Sequence, residues 1–356
     1  MDFTKKDTNY IKGIAICFML YHHLFAFPER VLNGEYLSIF YINGTGLSLL
    51  LGAFGCVCMP MLTFLSGYGL YRSSLSGEDA SSLISRHLLN LYKTFWKVFF
   101  VCLPIIIVKA VKAGSFKGSE LVYNFLGLSF SYNAEWWFLL PFAVLLILFP
   151  ALKHFTERKN ANIFADLFIL VLVNAVFLYI IPPLMELDTL AALKDTVFYA
   201  RARELMELFP AYAAGVIFAR YNVLSRLKAR FAGKPTWCIA ALAVMVAVFF
   251  VRPHNNKTYG FANATAMIVA LTVLLPTKPM QLLSRVFEEL GKESAMMWLT
   301  HTFFCYYWLQ ELVYAPKYAP LIFLWLLALS YGAAKLIKLI YKVLSHFMPH
   351  SVKTEV

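Results

Sequence analysis

Apolar runs long enough to cross a bilayer recur along the chain at 11–27, 43–70, 94–111, 136–152, 162–182, 206–221, 236–251, 262–277, 294–312 and 319–344. A helix needs about 20 predominantly apolar residues to span the hydrocarbon core. In lipid, every backbone N–H and C=O has to be satisfied within the structure, which favours helices over open strands. The short alternating repeats of a membrane β-barrel are not present in the sequence. The expected fold is therefore all-α, a polytopic transmembrane helix bundle of about ten spans. The run at 43–70 is the least regular, being rich in glycine and interrupted at Pro60.

Composition narrows the class further. Of 356 residues, 60% are apolar or aromatic and only 15% are charged. Soluble domains carry about 25% charged residues, and a chain this poor in charge cannot cover its surface in water. That excludes an ordinary soluble enzyme, a disordered chain and a coiled coil. The formal net charge of +12 comes from basic residues in short loops between the apolar runs. With a cytoplasmic N-terminus, alternation across ten spans places 22 of the 32 Lys and Arg inside. This bias puts both termini in the cytoplasm and removes nucleic acid as an expected partner.

The first run contains Lys12, Tyr21, His22 and His23 and lacks a clear small-residue cleavage site, so it reads as a retained span. The expectation is one integral-membrane domain over 6–345 with a short cytoplasmic tail at 346–356. The segment 112–135 lies along the interface or re-enters the protein, and 183–205 is the longest outside stretch. Cys17, Cys56, Cys58, Cys102, Cys238 and Cys305 all fall in or beside apolar runs. They read as small buried hydrophobes, without zinc-site spacing or a disulfide framework.

Ionisable groups inside spans are expensive, so each is a candidate site. In the first run Lys12 sits near the inner end, with His22 and His23 ten and eleven residues later. The rise of a helix makes that separation about 15 Å. Eleven positions are close to three turns, so Lys12 and His23 share a face, while His22 points about 100° away from His23. A neutral imidazole can take a hydroxyl proton as an alcohol attacks a thioester. A lysine at the cytoplasmic mouth can meet the phosphates of a coenzyme. The same residues also fit a lysine that snorkels to headgroups and histidines that pack helices.

Three further patches carry polar chemistry. In the second run Ser66, Gly67 and Gly69 permit close backbone approach, and Arg72 is either a bidentate phosphate ligand or a positive-inside anchor. Position 64 is Phe, so Ser66 does not stand in the nucleophile elbow of a serine hydrolase. Glu135, Trp136 and Trp137 form either a sugar-binding surface or an aromatic belt with a solvated carboxylate, and Glu135 can also orient the histidine. His301 is either a structural hydrogen-bonding group or part of the same cavity. Lys109, Asn174, Arg201, Arg203 and Glu204 are secondary candidates. The segment from Arg252 to Lys257 reads as an outer loop, within which Asn256-Lys257-Thr258 matches a glycosylation triplet.

Together these residues resemble the acyltransferase 3 family of integral-membrane acyltransferases, over roughly 6–345. Lys12 and His23 match the family's basic residue, ten intervening positions and histidine, with lysine where many members have arginine. The phrase from Phe64 to Arg72 is similar to the family's second-span pattern, although position 74 is Ser where some members carry a second arginine. The segments beginning at Glu135 and running from Gly291 to His301 resemble family signatures as well.

The resemblance implies a bundle of about ten helices that takes an acyl group, most often acetyl, from a cytoplasmic acyl-CoA. The acceptor it implies is a sugar hydroxyl of a lipid-linked or extracytoplasmic glycan. His23, Lys12 and Glu135 are then the expected catalytic residues, and Lys12, Ser66 and Arg72 the donor-binding ones. His22, Trp136, Trp137 and His301 are expected to bind the acceptor. The resemblance implies no metal and no permanently bound cofactor, and places the protein in the inner (plasma) membrane among lipid. Direct transfer and an acyl-enzyme both fit it.

A transporter or glycan flippase shares the composition and the intramembrane histidines. It often shows paired halves, and no internal repeat is visible here. A homo-oligomer is compatible with the sequence, because lipid-facing and protomer-facing helix surfaces are alike in composition.

Overall fold

The computed structural model describes residues 2–251 and 260–347. The loop from Arg252 to Lys257, the triplet at Asn256 and most of the expected tail lie outside those residues. The described chain is almost entirely helical, with one two-stranded hairpin. Among the described residues, five segments are long and apolar enough to cross a membrane: Leu47–Ser76, Ala80–Lys112, Ala134–Thr156, Ile163–Leu184 and Ala319–Phe347. Two shorter apolar helices are Pro235–Val251 and Gly260–Leu274. The chain is an all-α, multi-pass membrane protein.

Several elements differ from the hydropathy runs for local reasons. Helix α1 spans Lys5–Phe25 and so begins before the first apolar run. A capping box sets its start: Thr4 accepts from the Asp7 backbone N–H, and Asp7 accepts from the Thr4 N–H at 2.7 Å. Residues 43–46 belong to a hairpin rather than a span, with β1 at Tyr41–Ile42 and β2 at Thr45–Gly46. Asn43 (φ 50°) and Gly44 (φ 77°) occupy the left-handed region that a tight hairpin turn demands. The remainder of that run forms α2 (Leu47–Gly55) and α3 (Cys58–Ser73). The break falls at 56–57 and not at Pro60, which sits in the first turn of α3, where no helical N–H is lost.

The chain divides into two compact units, Met1–Ala26, Leu49–Leu88 and Phe138–Lys292 forming one, and Phe27–Ser48, Leu89–Trp137 and Glu293–Val356 the other. Three of the five boundaries fall within α2, α4 (Ala80–Lys112) and α15 (Ser284–Thr302), and the other two follow α1 and precede the helix that begins at Leu139. Helix α5 (Gly118–Leu126) lies between the second of the long apolar segments and the third. In the first unit follow α6 (Leu139–Thr156), α7 (Ile163–Ala175), and the short α8 (Ile181–Leu184) and α9 (Ala191–Lys194). A π-helical stretch, Val176–Ile180, joins α7 to α8.

Helix α10 (Val197–Arg220) is the axis of the first unit and packs most extensively on α3. From Leu208 to Ala219 almost every residue is buried, as expected of a helix that is apolar all round. Two glycines make the crossing possible. A Cβ at Gly67 would overlap the Tyr212 carbonyl, and one at Gly215 would overlap the Phe64 carbonyl. Small residues at such crossings let backbones approach and gain dispersion where the hydrophobic effect gives no help. Helices α11 (Val223–Phe231), α12 (Pro235–Val251), α13 (Gly260–Leu274) and α14 (Lys278–Leu282) complete this unit with the start of α15.

In the second unit, α15 continues into a π-helical stretch, Phe303–Trp308, and then into α16 (Gln310–Tyr314) and α17 (Ala319–Phe347). Glu293 is nearly buried and meets both Lys335 at 2.8 Å and Lys338 at 2.6 Å on α17. Gln310 ties the loop after α1 to this region. Its Oε1 accepts from the N–H groups of Leu32 and Asn33, and its Nε2 donates to the Arg30 and Cys305 carbonyls. The six cysteines are free thiols, and Cys58, Cys102 and Cys305 are buried.

Candidate active site

In the first unit, α1 carries Lys12, His22 and His23. The helix is seated by two glycines: a Cβ at Gly13 would overlap the Phe287 carbonyl of α15, and one at Gly291 would overlap the Asn9 carbonyl. As the number rises along α1 it falls along α15, so the helices cross antiparallel, immediately beside Lys12. The lysine is half-buried, and among the described residues no carboxylate stands within ion-pair distance of it. Its electrostatic neighbours are other bases, Lys5 and His87. Desolvating a cation without a counter-ion costs several kcal/mol, on the order of 2–4, unless an anion arrives. His87 lies outside the first apolar run, and only the fold brings it within electrostatic reach of Lys12.

The adjacent histidines have different surroundings. His22 Nδ1 lies 2.8 Å from the Gly52 carbonyl oxygen of α2, which fixes its Nδ1 as the donor. A Cβ at Gly55 would press on the His22 Cβ, so α2 is shaped to admit that side chain. His22 thereby serves the α1–α2 contact. His23 is half-buried and stacks edge-on against His22, with ring centroids 5.3 Å apart. Ser66 donates to the Leu62 carbonyl one turn back at 2.8 Å. Arg72 is exposed and donates to Asn222 Oδ1 at 2.9 Å.

The second unit holds Glu135, Trp136, Trp137, His301 and Lys109. Glu135 Oε1 accepts from Arg30 Nη1 at 2.9 Å. The guanidinium also lies over the rings of Phe27, at 4.4 Å, and Tyr306, at 5.4 Å. Nothing in the local sequence of Arg30 predicts a partner 105 positions away. Trp136 is 1% exposed, its indole donates to the Leu299 carbonyl at 3.0 Å, and Phe95, Phe99 and Phe303 cover its ring. A ring so covered offers no face to a pyranose, which corrects the sugar-stacking expectation for this residue. Trp137 is half-buried in the same short helical turn.

His301 is completely buried, and its Nδ1 sits 2.8 Å from the Trp298 carbonyl and 3.2 Å from that of Met297. Nδ1 is therefore the donor and Nε2 the acceptor. Lys109 donates to the Tyr307 carbonyl at 3.0 Å, and Arg201 pairs with Glu204 at 2.8 Å. Asn174 and Arg203 line a cavity in the first unit.

A family model described as an acyltransferase domain matches residues 6–337. No curated protein and no solved structure matches the chain.

Proposed function

The chain belongs to the acyltransferase 3 family and is an acyltransferase of groups other than aminoacyl, and from that premise we propose that it moves an acyl group, most simply acetyl, from cytoplasmic acyl-CoA to a sugar hydroxyl of an extracytoplasmic or lipid-linked glycan. The proposed topology has ten spans in the inner (plasma) membrane with both termini cytoplasmic. The observation that carries the donor assignment is Lys12, half-buried among other bases and, among the described residues, without a carboxylate partner. Coenzyme phosphates would supply the missing negative charge.

His23 lies three turns above Lys12 on the same face of α1. In the proposed step its neutral imidazole accepts the proton of the acceptor hydroxyl as that oxygen attacks the thioester carbonyl. The new ester C–O bond forms, the C–S bond breaks, and the proton passes to the departing CoA thiolate. His22 Nδ1 donates to the Gly52 carbonyl, and the proton acceptor is assigned to His23 because it shares the Lys12 face of α1.

The test is incorporation of radiolabelled acetyl from acetyl-CoA into CoA-free glycan by membranes carrying wild type, His23→Ala or Lys12→Ala. Incorporation lost with His23→Ala, and a raised acetyl-CoA KM with Lys12→Ala, would support the reading. Failure of the purified protein to bind any short acyl-CoA would overturn it in favour of transport.

A further inference from the structure

We propose that the C-terminal part of α17, with the turn of α4 that meets it, seats an anionic phospholipid, the phosphate on a stripe of lysines and the acyl chains on the apolar stripe beside it. The inference rests on the chain being a membrane protein and is independent of the acyltransfer reading. All of the residues concerned belong to the second unit.

Three stripes run side by side along this end of α17, each with the i, i+3, i+7 spacing of one helix face. Ala334 and Ile337 are buried and Tyr341 is half-buried, so the first stripe faces protein. Lys335, Lys338 and Lys342 each follow one position later, about 100° round the helix. Leu336, Leu339 and Val343 follow one position after those, and they are 56%, 55% and 49% exposed. The lysines therefore border protein on one side and an exposed apolar surface on the other. The rise of a helix puts Lys335 about 24 Å and Lys342 about 35 Å from the start of α17. The hydrocarbon core is about 30 Å thick, so a helix that enters it near Ala319 carries these lysines to the level of the headgroups.

The charge of this surface is unbalanced. From Ala319 to Phe347 the chain has three lysines and no carboxylate, and α4 has no carboxylate from Leu89 to Lys112. Buried Glu293 pairs with both Lys335 and Lys338, so one negative charge serves two cations. On α4, Lys97 lies over the Tyr341 ring, 5.5 Å from its centroid, which brings a fourth cation to the same end of α17. Among the described residues no carboxylate pairs with Lys97 or Lys342. Four lysines against one carboxylate leave three positive charges in excess. Basic sites between membrane helices on the cytoplasmic side seat anionic headgroups, and the proposed topology puts this end of α17 there. A zwitterionic headgroup brings its own cation and gains less. A phosphorylated coenzyme would meet the lysines and leave the leucines uncovered, whereas a phospholipid engages both stripes.

The test is native mass spectrometry of the full chain titrated with dioleoyl phosphatidylglycerol or dioleoyl phosphatidylcholine, which share their acyl chains. The wild type should retain phosphatidylglycerol the more tightly. Lys97→Gln/Lys342→Gln removes two cations that stand outside the Glu293 pairs. At about fivefold per lysine, it should weaken phosphatidylglycerol about tenfold or more and leave phosphatidylcholine unchanged. Lys159→Gln/Lys278→Gln removes the same charge from exposed positions of the first unit and should change neither lipid. Equal retention of the two lipids by the wild type, or equal weakening in the two double variants, would overturn the proposal. So would coenzyme A that displaces phosphatidylglycerol from the wild type and itself binds more weakly to Lys97→Gln/Lys342→Gln, because the lysines would then serve the phosphates of a coenzyme.

Discussion

Arg30 Nη1 donates to Glu135 Oε1 at 2.9 Å, joining the loop after the first helix to the turn that opens α6. The carboxylate side chain is 14% exposed and the guanidinium 45% exposed. The pair thus lies between exposed ion pairs, worth about 0.2–1 kcal/mol, and fully buried ones, whose breakage costs about 3–5 kcal/mol. A double-mutant cycle of Arg30→Met and Glu135→Gln should give a coupling of about 1–2 kcal/mol by denaturation in nanodiscs. A coupling indistinguishable from zero would mean that solvent already screens the contact.

The neighbouring histidines should separate by phenotype. His22→Ala removes the hydrogen bond to Gly52 and should cost about 1 kcal/mol of stability while retaining turnover. His23→Ala should unfold at the wild-type midpoint yet lose about 10²–10⁴-fold in acetyl transfer. Melting curves and label incorporation on the same preparations read both effects. The opposite pattern would exchange the two roles.

Glycine positions on α15 and α17 give a contrasting pair. A methyl at Gly291 meets the Asn9 carbonyl, a backbone atom that cannot turn aside, whereas one at Gly332 meets nothing within 4 Å. Gly291→Ala should destabilise by about 1–3 kcal/mol or prevent folding. Gly332→Ala should be neutral or stabilise by up to about 1 kcal/mol through helix propensity. Because Gly291 seats α1 beside Lys12, weakened acetyl-CoA binding should accompany its loss. Equal midpoints for the two variants would show that the helices can move apart at little cost.

What hydropathy made legible is the set of segments whose apolar faces need no partner to be recognised. The run 319–344 became Ala319–Phe347, and 136–152 became the body of Leu139–Thr156. Local signals were present but outweighed elsewhere. Asn43-Gly44 is a strong hairpin pair, yet the apolar residues after it drew the expected span forward over the turn. Thr4 and Asp7 form a capping box at short spacing, and it lengthens α1 into charged sequence that hydropathy scores against. Sequence spacing by itself sets Lys12 and His23 on one face of one helix, α1. Arg30 with Glu135, and the cavity that Asn174 and Arg203 line, depend on chain returns that periodicity does not encode.

Glu120 offers a pH-dependent readout outside the long apolar segments. Its Oε2 accepts from Ser131 at 2.7 Å and Ser129 at 2.8 Å, and these hydroxyls hold its carboxyl below the usual glutamate value. The folded value is therefore the lower one. The contribution is fully present above the unfolded value, about 4.3, and is lost as pH falls through the folded value. Hydrogen exchange over residues 118–131, corrected for intrinsic rates, should show constant protection from about pH 7 to about pH 5 and a decline below about pH 4. Glu120→Gln should remove that decline, since the amide does not titrate. A wild-type profile that stays flat down to about pH 3 would show that the two hydroxyls do not hold the loop through the charged carboxylate.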